Sequence, residues 1–424
     1  MRILHLVHQY IPEYVGGTEL YTQTLARYQV SRQGHRAAIF YPSEQEPHDG
    51  SVISASDECG VHVHAAPVGP RSRAQVFLDS FGQRTIATSL QRVLDAEQPD
   101  VVHVQHLMGL PLSLLTQLKA MRIPIVITLH DYWFPCANGQ LLTNYDNQVC
   151  DGPRWWLNCA RCALARAGVG DRRWLTPAVA PLFAYRSSRL RRWLAQADRV
   201  IAPTHFVRDT YDRLNMPTEN VVVVPHGIEV PAHVLEAEAA TLPHQPGRLH
   251  IVYVGSLAWQ KGLHVLVEAV NHLPPEAVRL TIYGDLDNFP DYVHSLQAQV
   301  EHPGITFPGR ITRDDFWPML LQEVDVAVLP TLWYEASPLT IQEMFAARVP
   351  LVASNIGALP EKIRHGVDGV LFPPGDAAAL RDVLQRLLDT PQQLRRLQAN
   401  IRPTRLMDEH VEDVQAIYEA LLQP

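Results

Sequence analysis

The stretch Trp333-Tyr-Glu-Ala-Ser-Pro-Leu-Thr-Ile-Gln-Glu343 places two carboxylates eight residues apart around a helix start. Ser337 suits an N-cap, and Pro338 suits the first helical position, where a missing N–H is no loss. The amides of Leu339 and Thr340 then point out of a helix end that carries partial positive charge, a seat for a phosphate. Glu343 lies five residues past Pro338, about 7.5 Å along the axis at ~1.5 Å per residue, roughly the reach from a diphosphate to the ribose of the same nucleotide. Glu335 stays on the loop before the cap, on the far side, where a sugar attached to the diphosphate would lie. The bland alternative is an ordinary amphipathic helix with a surface glutamate, and the flanking sequence weighs against it.

Asp325-Val-Ala-Val-Leu-Pro330 reads as a buried parallel strand running into this loop. Loops at the C-terminal ends of parallel strands are where open α/β sheets bind ligands. Ala346-Ala-Arg-Val-Pro-Leu-Val-Ala353 leads to another strand, followed by Gly357-Ala-Leu-Pro-Glu361, Gly366-Val-Asp-Gly369 and Phe372-Pro-Pro-Gly-Asp376. From Pro330 to Asp376 the chain resembles the donor-binding half of the retaining glycosyltransferase family 4, whose Glu-x7-Glu signature is met by Glu335 and Glu343. The resemblance spans nearly the whole chain, is most specific in the C-terminal half, and is weaker between about 135 and 185.

The resemblance implies a GT-B architecture of two Rossmann-like domains facing across a cleft. The periodicity points the same way. Short β-branched runs at Arg2–Val7, Ala37–Tyr41, Val101–Val104, Ile125–Thr128, Arg199–Ala202 and Val221–Val224 form one block. Leu249–Val254, Arg279–Tyr283, Val326–Leu329, Leu351–Ala353 and Gly369–Phe372 form a second. They alternate with 3.6-period apolar segments such as Leu263, Leu266, Val267 and Val270, the pattern of doubly wound α/β sheets. At 424 residues the chain suits two domains. The expected division is an N-terminal, acceptor-binding domain over 1–228, a linker over 229–248, a nucleotide-sugar domain over 249–403, and a helix over 404–424 that packs back on the first domain.

Bulk numbers exclude several classes. Hydrophobic residues at 46% and charged residues at 19% suit a soluble globular enzyme rather than a disordered chain. A net charge of −8 argues against nucleic acid as a partner. No apolar run reaches the ~18 residues of a membrane span and no leader pattern opens the chain. The expected location is the cytoplasm, peripheral on the inner face of the membrane if the one basic region docks there. That region, 151–200, holds ten arginines against three aspartates, a local balance of +7, with tryptophans at 155, 156, 174 and 193. It reads as a surface for anionic headgroups or an anionic acceptor, or as a solvated helical face with packed arginine stems.

Further residues carry chemistry. Gly16 and Gly17, in a turn that enters a helix after the first strand, permit close backbone approach, and their match to the family's Gly-Gly loop places them beside the diphosphate. This is not the G-x-G-x-x-G fingerprint, so a nicotinamide cofactor is a poor reading. His130 ends a strand; the resemblance places its imidazole near the donor sugar, in orientation or hydroxyl contact rather than base work. Lys261, in Gly255-Ser-Leu-Ala-Trp-Gln-Lys261-Gly262, can neutralise diphosphate oxygens. The family usually carries arginine where this chain has Ser256, so Arg310 is a candidate for the second positive charge. The nucleobase is expected around 309–311.

Cys136, Cys150, Cys159 and Cys162 favour metal or free thiols over disulfides. A structural zinc there would brace the loop beneath the acceptor site, although the first two are spaced too loosely for a strong signature. No Asp-x-Asp signal marks a catalytic metal, and no cofactor beyond the nucleotide-sugar substrate is expected. The resulting expectation is retaining transfer from a nucleoside diphosphate sugar to a hydroxyl of a glycan or lipid-linked acceptor in polysaccharide or cell-envelope assembly. A non-catalytic nucleotide-sugar-binding scaffold and a GT-B sugar-nucleotide epimerase are the alternatives. The identities of sugar, base and acceptor are not legible.

Overall fold

The computed structural model describes residues 1–46, 51–238 and 242–423, and the chain divides into two compact units. The first comprises Met1–Gly227 with Met407–Pro424, the second Ile228–Leu406. The helix anticipated over 404–424 runs Met407–Leu422 and belongs to the first unit; Pro424 lies outside the described residues. The linker anticipated over 229–248 contains a short helix, Ala232–Leu235, whose Val234 sits in the core of the second unit. Residues 239–241 of it lie outside the described residues.

The first unit is built on an eight-stranded sheet of β1 (Arg2–Leu6), β2 (Arg36–Ser43), β3 (Ile53–Ser56), β4 (His62–Pro67), β5 (Val101–Val104), β6 (Ile125–Thr128), β7 (Arg199–Ala202) and β8 (Val221–Val223). Their order is β3-β4-β2-β1-β5-β6-β7-β8, and all neighbours are parallel except the edge pair β3–β4. The order reverses between β1 and β5, so the loops leaving those strands and β6 share one rim. β3 and β4 escape the sequence reading. β3 is exposed along its length, and β4 interrupts its apolar residues with His62 and His64.

The second unit is a six-stranded parallel sheet of β9 (Leu249–Val254), β10 (Val278–Tyr283), β11 (Ile305–Gly309), β12 (Val326–Leu329), β13 (Leu351–Ser354) and β14 (Gly369–Phe372), in the order β11-β10-β9-β12-β13-β14. β11, also unforeseen, carries Pro308 at the sheet edge, the place where a missing donor is tolerated. The reversal lies between β9 and β12, which puts the loop of Lys261 beside the loop of Glu335. Leu332 N–H donates to the Gln260 carbonyl at 2.9 Å and ties the two loops. Gly262, at φ 72°, is required at this crossing, because a Cβ there would lie 1.9 Å from the Pro330 carbonyl oxygen. Gly357 (φ 63°) packs similarly against the backbone of Glu335.

Among the described residues no helix is long and apolar enough to cross a membrane. The first unit's core is apolar around Ile3, Leu25, Val101, Val126 and Val414, but it also buries His5, His103, Gln29, Gln105 and His410. Burial lowers the His5 imidazole to about 4 and holds His8 and His103 well below the ordinary histidine range.

These depressed values fix the sign of an acid effect. The native state binds fewer protons than the unfolded chain between about pH 6.5 and 4, so stability is complete above that window and is lost as pH falls through it. His244, raised by its hydrogen bond to Asp325, pulls the opposite way in the second unit. The melting temperature of the chain should hold near pH 7–8 and fall steadily from pH 6.5 to 4.5. A melting temperature that is flat or rises across that acidification would contradict the neutral histidine core.

Candidate donor site

The loop after β12 and the helix Leu339–Ala346 form the centre of the second unit's site. The helix begins one residue later than expected. Pro338, with φ −60° and ψ 118°, occupies the cap position, and no side chain caps the end. Ser337 does not serve as the cap, since its hydroxyl is buried without a hydrogen-bond partner. The first amides of this helix, at Leu339 and Thr340, therefore have no side-chain acceptor and stand at the positive pole of the helix.

Glu335 faces a convergent set of donors. Its Oε1 accepts from Lys261 Nζ at 2.6 Å, from Trp333 Nε1 at 2.8 Å and from the Thr331 hydroxyl at 3.4 Å. The Lys261 ammonium also lies 5.4 Å from the centroid of the Trp333 ring, a cation–π distance. The ammonium has three N–H donors, so the bond to Glu335 leaves others for phosphate oxygens. Glu335 is held through one oxygen, which leaves Oε2 for a hydroxyl ligand. Lys261, Glu335, Pro338 and Thr340 line one open depression of about 370 Å³, together with Tyr253, Gly255 and Thr331. Leu339 and Glu343 lie outside that lining.

Glu343, further along the helix, accepts from Arg313 Nη1 at 2.9 Å. Arg313, the first residue of the helix Arg313–Gln322, rests over the rings of Phe316 and Trp317. The structure does not bring Arg310 into this set: it is well exposed and pairs with Asp285. Ser256 contributes its carbonyl, which accepts the Tyr253 hydroxyl at 2.9 Å. Arg313, Trp333 and Thr331 were missed by sequence reasoning. Thr331 and Trp333 precede Glu335 at even spacing, a signal that was present. Arg310 lies on the loop after β11, whereas Arg313 is the first residue of the following helix.

In the first unit, His130 lines a smaller depression of about 220 Å³ with Gln105, His106, Asp131, Trp133 and Tyr211. Its Nε2 bonds the Gln105 side-chain oxygen at 2.9 Å, and the Tyr21 ring meets it edge-on at 4.8 Å. Burial, the adjacent His106 and His410 lower the imidazole to about 3, against a smaller opposing pull from Asp131, so His130 is neutral at physiological pH. His106 Nε2 lies 3.2 Å from Asp131 Oδ2. Gln105 and His106 follow β5 as His130 follows β6, and that shared position was the overlooked signal.

The Gly16-Gly17 turn differs from its expected use as an open anion seat. The buried Glu19 carboxylate takes the backbone amides of Gly16 and Glu19, and burial raises its titration. A Cβ at Gly16 would lie 2.6 Å from Glu19 Oε2, so glycine is needed to admit this carboxylate. Gly17 is open, with nothing within 4 Å of a built Cβ.

The four clustered cysteines do not close on a common point. Cys136 Sγ donates to Asn138, Cys162 accepts from Asn144 N–H at 3.2 Å, and Cys150 faces Asn158 and the Gly152 carbonyl. Burial raises Cys159 to about 12 and Cys162 to about 11, which keeps these thiols protonated. This arrangement does not fit a tetrahedral thiolate cage. Among the described residues, the ligand atoms of His62, His64 and Glu97 lie within 4.8 Å of one another. Glu97 is satisfied there by both imidazoles and by Arg36 at 3.1 Å, at the far end of β4 from its ligand-binding rim.

Known proteins share this architecture. Residues 15–230 match the family model described as Glycosyltransferase Family 4, and residues 248–390 match Glycosyl transferases group 1. Glycogen synthase of Mycobacterium tuberculosis is 27% identical over 92% of this chain and 87% of its own. The MMP alpha-(1->4)-mannosyltransferase of Mycolicibacterium hassiacum is 30% identical over 75% of this chain and 69% of its own. Among solved structures, sucrose-phosphate synthase from Thermosynechococcus elongatus superposes with a TM-score of 0.73 at 18% identity, covering 99% of this chain and 98% of that one. Anabaena HepE, in complex with UDP and glucose, superposes at 0.65 and 18% identity over 99% of this chain and all of its own. The chain is a glycosyltransferase enzyme of the GT-B fold and belongs to glycosyltransferase family 4.

Proposed function

We propose that this enzyme transfers a sugar from a nucleoside diphosphate sugar to a hydroxyl of a glycan or lipid-linked acceptor, with retention at the anomeric carbon. The observation that carries this reading is the 2.6 Å contact between Lys261 Nζ and Glu335 Oε1, in a depression that also reaches the uncapped start of the helix Leu339–Ala346. The amides of Leu339 and Thr340 and the spare donors of Lys261 take the charge that builds on the departing diphosphate. Glu335 Oε2 accepts donor-sugar hydroxyls and steadies positive charge at the anomeric carbon. Glu343, oriented by Arg313, accepts the ribose hydroxyls. Arg310, paired with Asp285, has no part in this set.

In the first unit, His130 accepts a sugar hydroxyl, and the Gly17 backbone is unobstructed. The anomeric carbon–phosphate oxygen bond breaks, the acceptor oxygen bonds the same face, and the departing phosphate takes the acceptor proton. Glu335 Oε1, already holding three donors, is poorly placed to act as a separate base. The UDP bound to HepE supports a uridine nucleotide as the first donor to test.

The basic region supports contact with an anionic membrane, in a narrower form than its composition implied. Arg186 is buried and donates to the carbonyls of Trp133 and Phe134, and Trp193 is buried, so neither belongs to a surface. Trp155 and Trp174 are 86% and 77% exposed, beside the exposed Arg154, Arg172 and Arg173. These side chains fit an anionic lipid surface that also presents a lipid-linked acceptor.

With a cognate donor, NMR of the product should show the anomeric configuration of the donor; inversion would refute the mechanism. Lys261→Met should lower kcat by about a hundredfold, the scale of one lost anion donor. Glu343→Ala should raise the donor KM by about tenfold, and an unchanged KM would remove the ribose assignment. The protein should sediment with phosphatidylglycerol-containing vesicles and not with phosphatidylcholine alone, and W155S/W174S should abolish the difference. Equal sedimentation by wild type with both vesicles would remove the membrane role.

A further inference from the structure

Buried polar residues of the first unit form a hydrogen-bonded path from Thr128 to His130, whose direction is set by the Gln29 and Gln105 amides, beside a shorter link from Tyr21 to His410. The Pro225 carbonyl can only accept, so His410 donates to it from Nδ1 at 2.9 Å. In neutral His410 the bare Nε2 then accepts from the Tyr21 hydroxyl at 2.7 Å. The longer path takes its sense from the Gln29 amide, which donates to the Tyr418 oxygen, so that at its end the Thr128 oxygen accepts from His103 Nε2–H at 2.7 Å.

The rest follows link by link. His103 Nδ1 must accept, and the Tyr418 hydroxyl donates to it at 2.6 Å. The Tyr418 oxygen accepts from the Gln29 amide at 3.3 Å, which turns the Gln29 carbonyl oxygen toward His5 Nε2–H at 2.8 Å. His5 Nδ1 accepts from the Gln105 amide at 3.0 Å, which turns the Gln105 carbonyl oxygen toward His130 Nε2 at 2.9 Å. Every partner is satisfied in the sense that the two amides adopt, and reversing one amide alone would set two donors or two acceptors face to face.

We infer that this directed path fixes His130 as the Nε2–H tautomer, and that Gln105, His5, Gln29, Tyr418, His103 and Thr128 act as positioning residues for it. His130 Nδ1 is left as a lone-pair acceptor, and among the described residues no protein group hydrogen-bonds it. A bare imidazole nitrogen at the edge of the 220 Å³ depression selects a ligand that donates, such as a sugar hydroxyl, and rejects a carbonyl or carboxylate oxygen. The path passes through strands β1, β5 and β6 and through Tyr418 of the helix Met407–Leu422. It explains why a core of this size carries so many histidines, since an imidazole passes the donor–acceptor sense across itself.

The hydroxyl-accepting role rests on the proposed transfer function, whereas the tautomer does not. The test is therefore read first without substrate. Long-range 1H–15N correlation on the full chain, with His130 assigned from His130→Gln, should show Nε2 protonated and Nδ1 bare from pH 6 to 8. Gln105→Met removes the acceptor, and His130 should become a tautomer mixture, with kcat lowered about tenfold, the effect of one lost hydrogen bond, and the donor KM little changed. Gln105→Glu restores an acceptor for Nε2–H and should restore the single tautomer. A circular-dichroism melt within a few degrees of wild type separates this from misfolding; if Gln105→Met fails that control, wild type and Gln105→Glu decide. A wild-type His130 protonated on Nδ1, or a tautomer unmoved in folded Gln105→Met, overturns the inference. Full transfer activity in His130→Ala would instead overturn the hydroxyl contact and leave the tautomer standing.

Discussion

The site depends on an ammonium held against a carboxylate at the reversal point of a parallel sheet. Lys261 arrives on the loop after β9 and Glu335 on the loop after β12, and these strands are adjacent only because the winding reverses between them. Neither residue has a site alone. Lys261 unpaired would be a mobile surface cation, and Glu335 unpaired would be a carboxylate with no fixed direction. Pairing fixes both and keeps spare donors on the ammonium and one oxygen on the carboxylate. Gly262 is part of the same constraint, because any side chain there would drive the two loops apart.

The two units divide their polar chemistry differently. The second places charged side chains at a sheet rim, paired across adjacent loops and facing a charged ligand. The first places neutral imidazoles, amides and hydroxyls in its interior, where burial keeps the histidines unprotonated. A charged interior would be costly, whereas a neutral path with every donor matched is tolerated. The acid sensitivity of the first unit and the fixed tautomer of His130 are consequences of one arrangement.

Much of this was legible in the sequence where the physics is local. Strands buried on both faces announce themselves as β-branched runs, and the Glu335–Glu343 spacing around a helix start pointed to the site. Strands at the sheet margins were missed because they need not be apolar: β3 is exposed at its edge, β4 beside it carries histidines, and β11 at the edge of the second sheet carries a proline. The cap residue was misassigned because Ser337 and Pro338 are both good helix-start residues, and only the backbone angles distinguish them. Arg313 was overlooked because nothing in its sequence neighbourhood shows that the helix it starts carries it to Glu343. The hydrogen-bonded path was out of reach, since Gln29 and Tyr418 are 389 residues apart.

The central claim is that the uncapped start of the helix Leu339–Ala346 and Lys261 together form a diphosphate seat. A crystal structure with a non-hydrolysable UDP-sugar, or with the cognate nucleotide sugar once known, tests it most directly. The account predicts phosphate oxygens within hydrogen-bond distance of the Leu339 or Thr340 amide and of Lys261 Nζ, with the sugar against Glu335 Oε2 and the ribose against Glu343. A diphosphate bound elsewhere, with Lys261 and Glu335 still engaged only with each other, would contradict it.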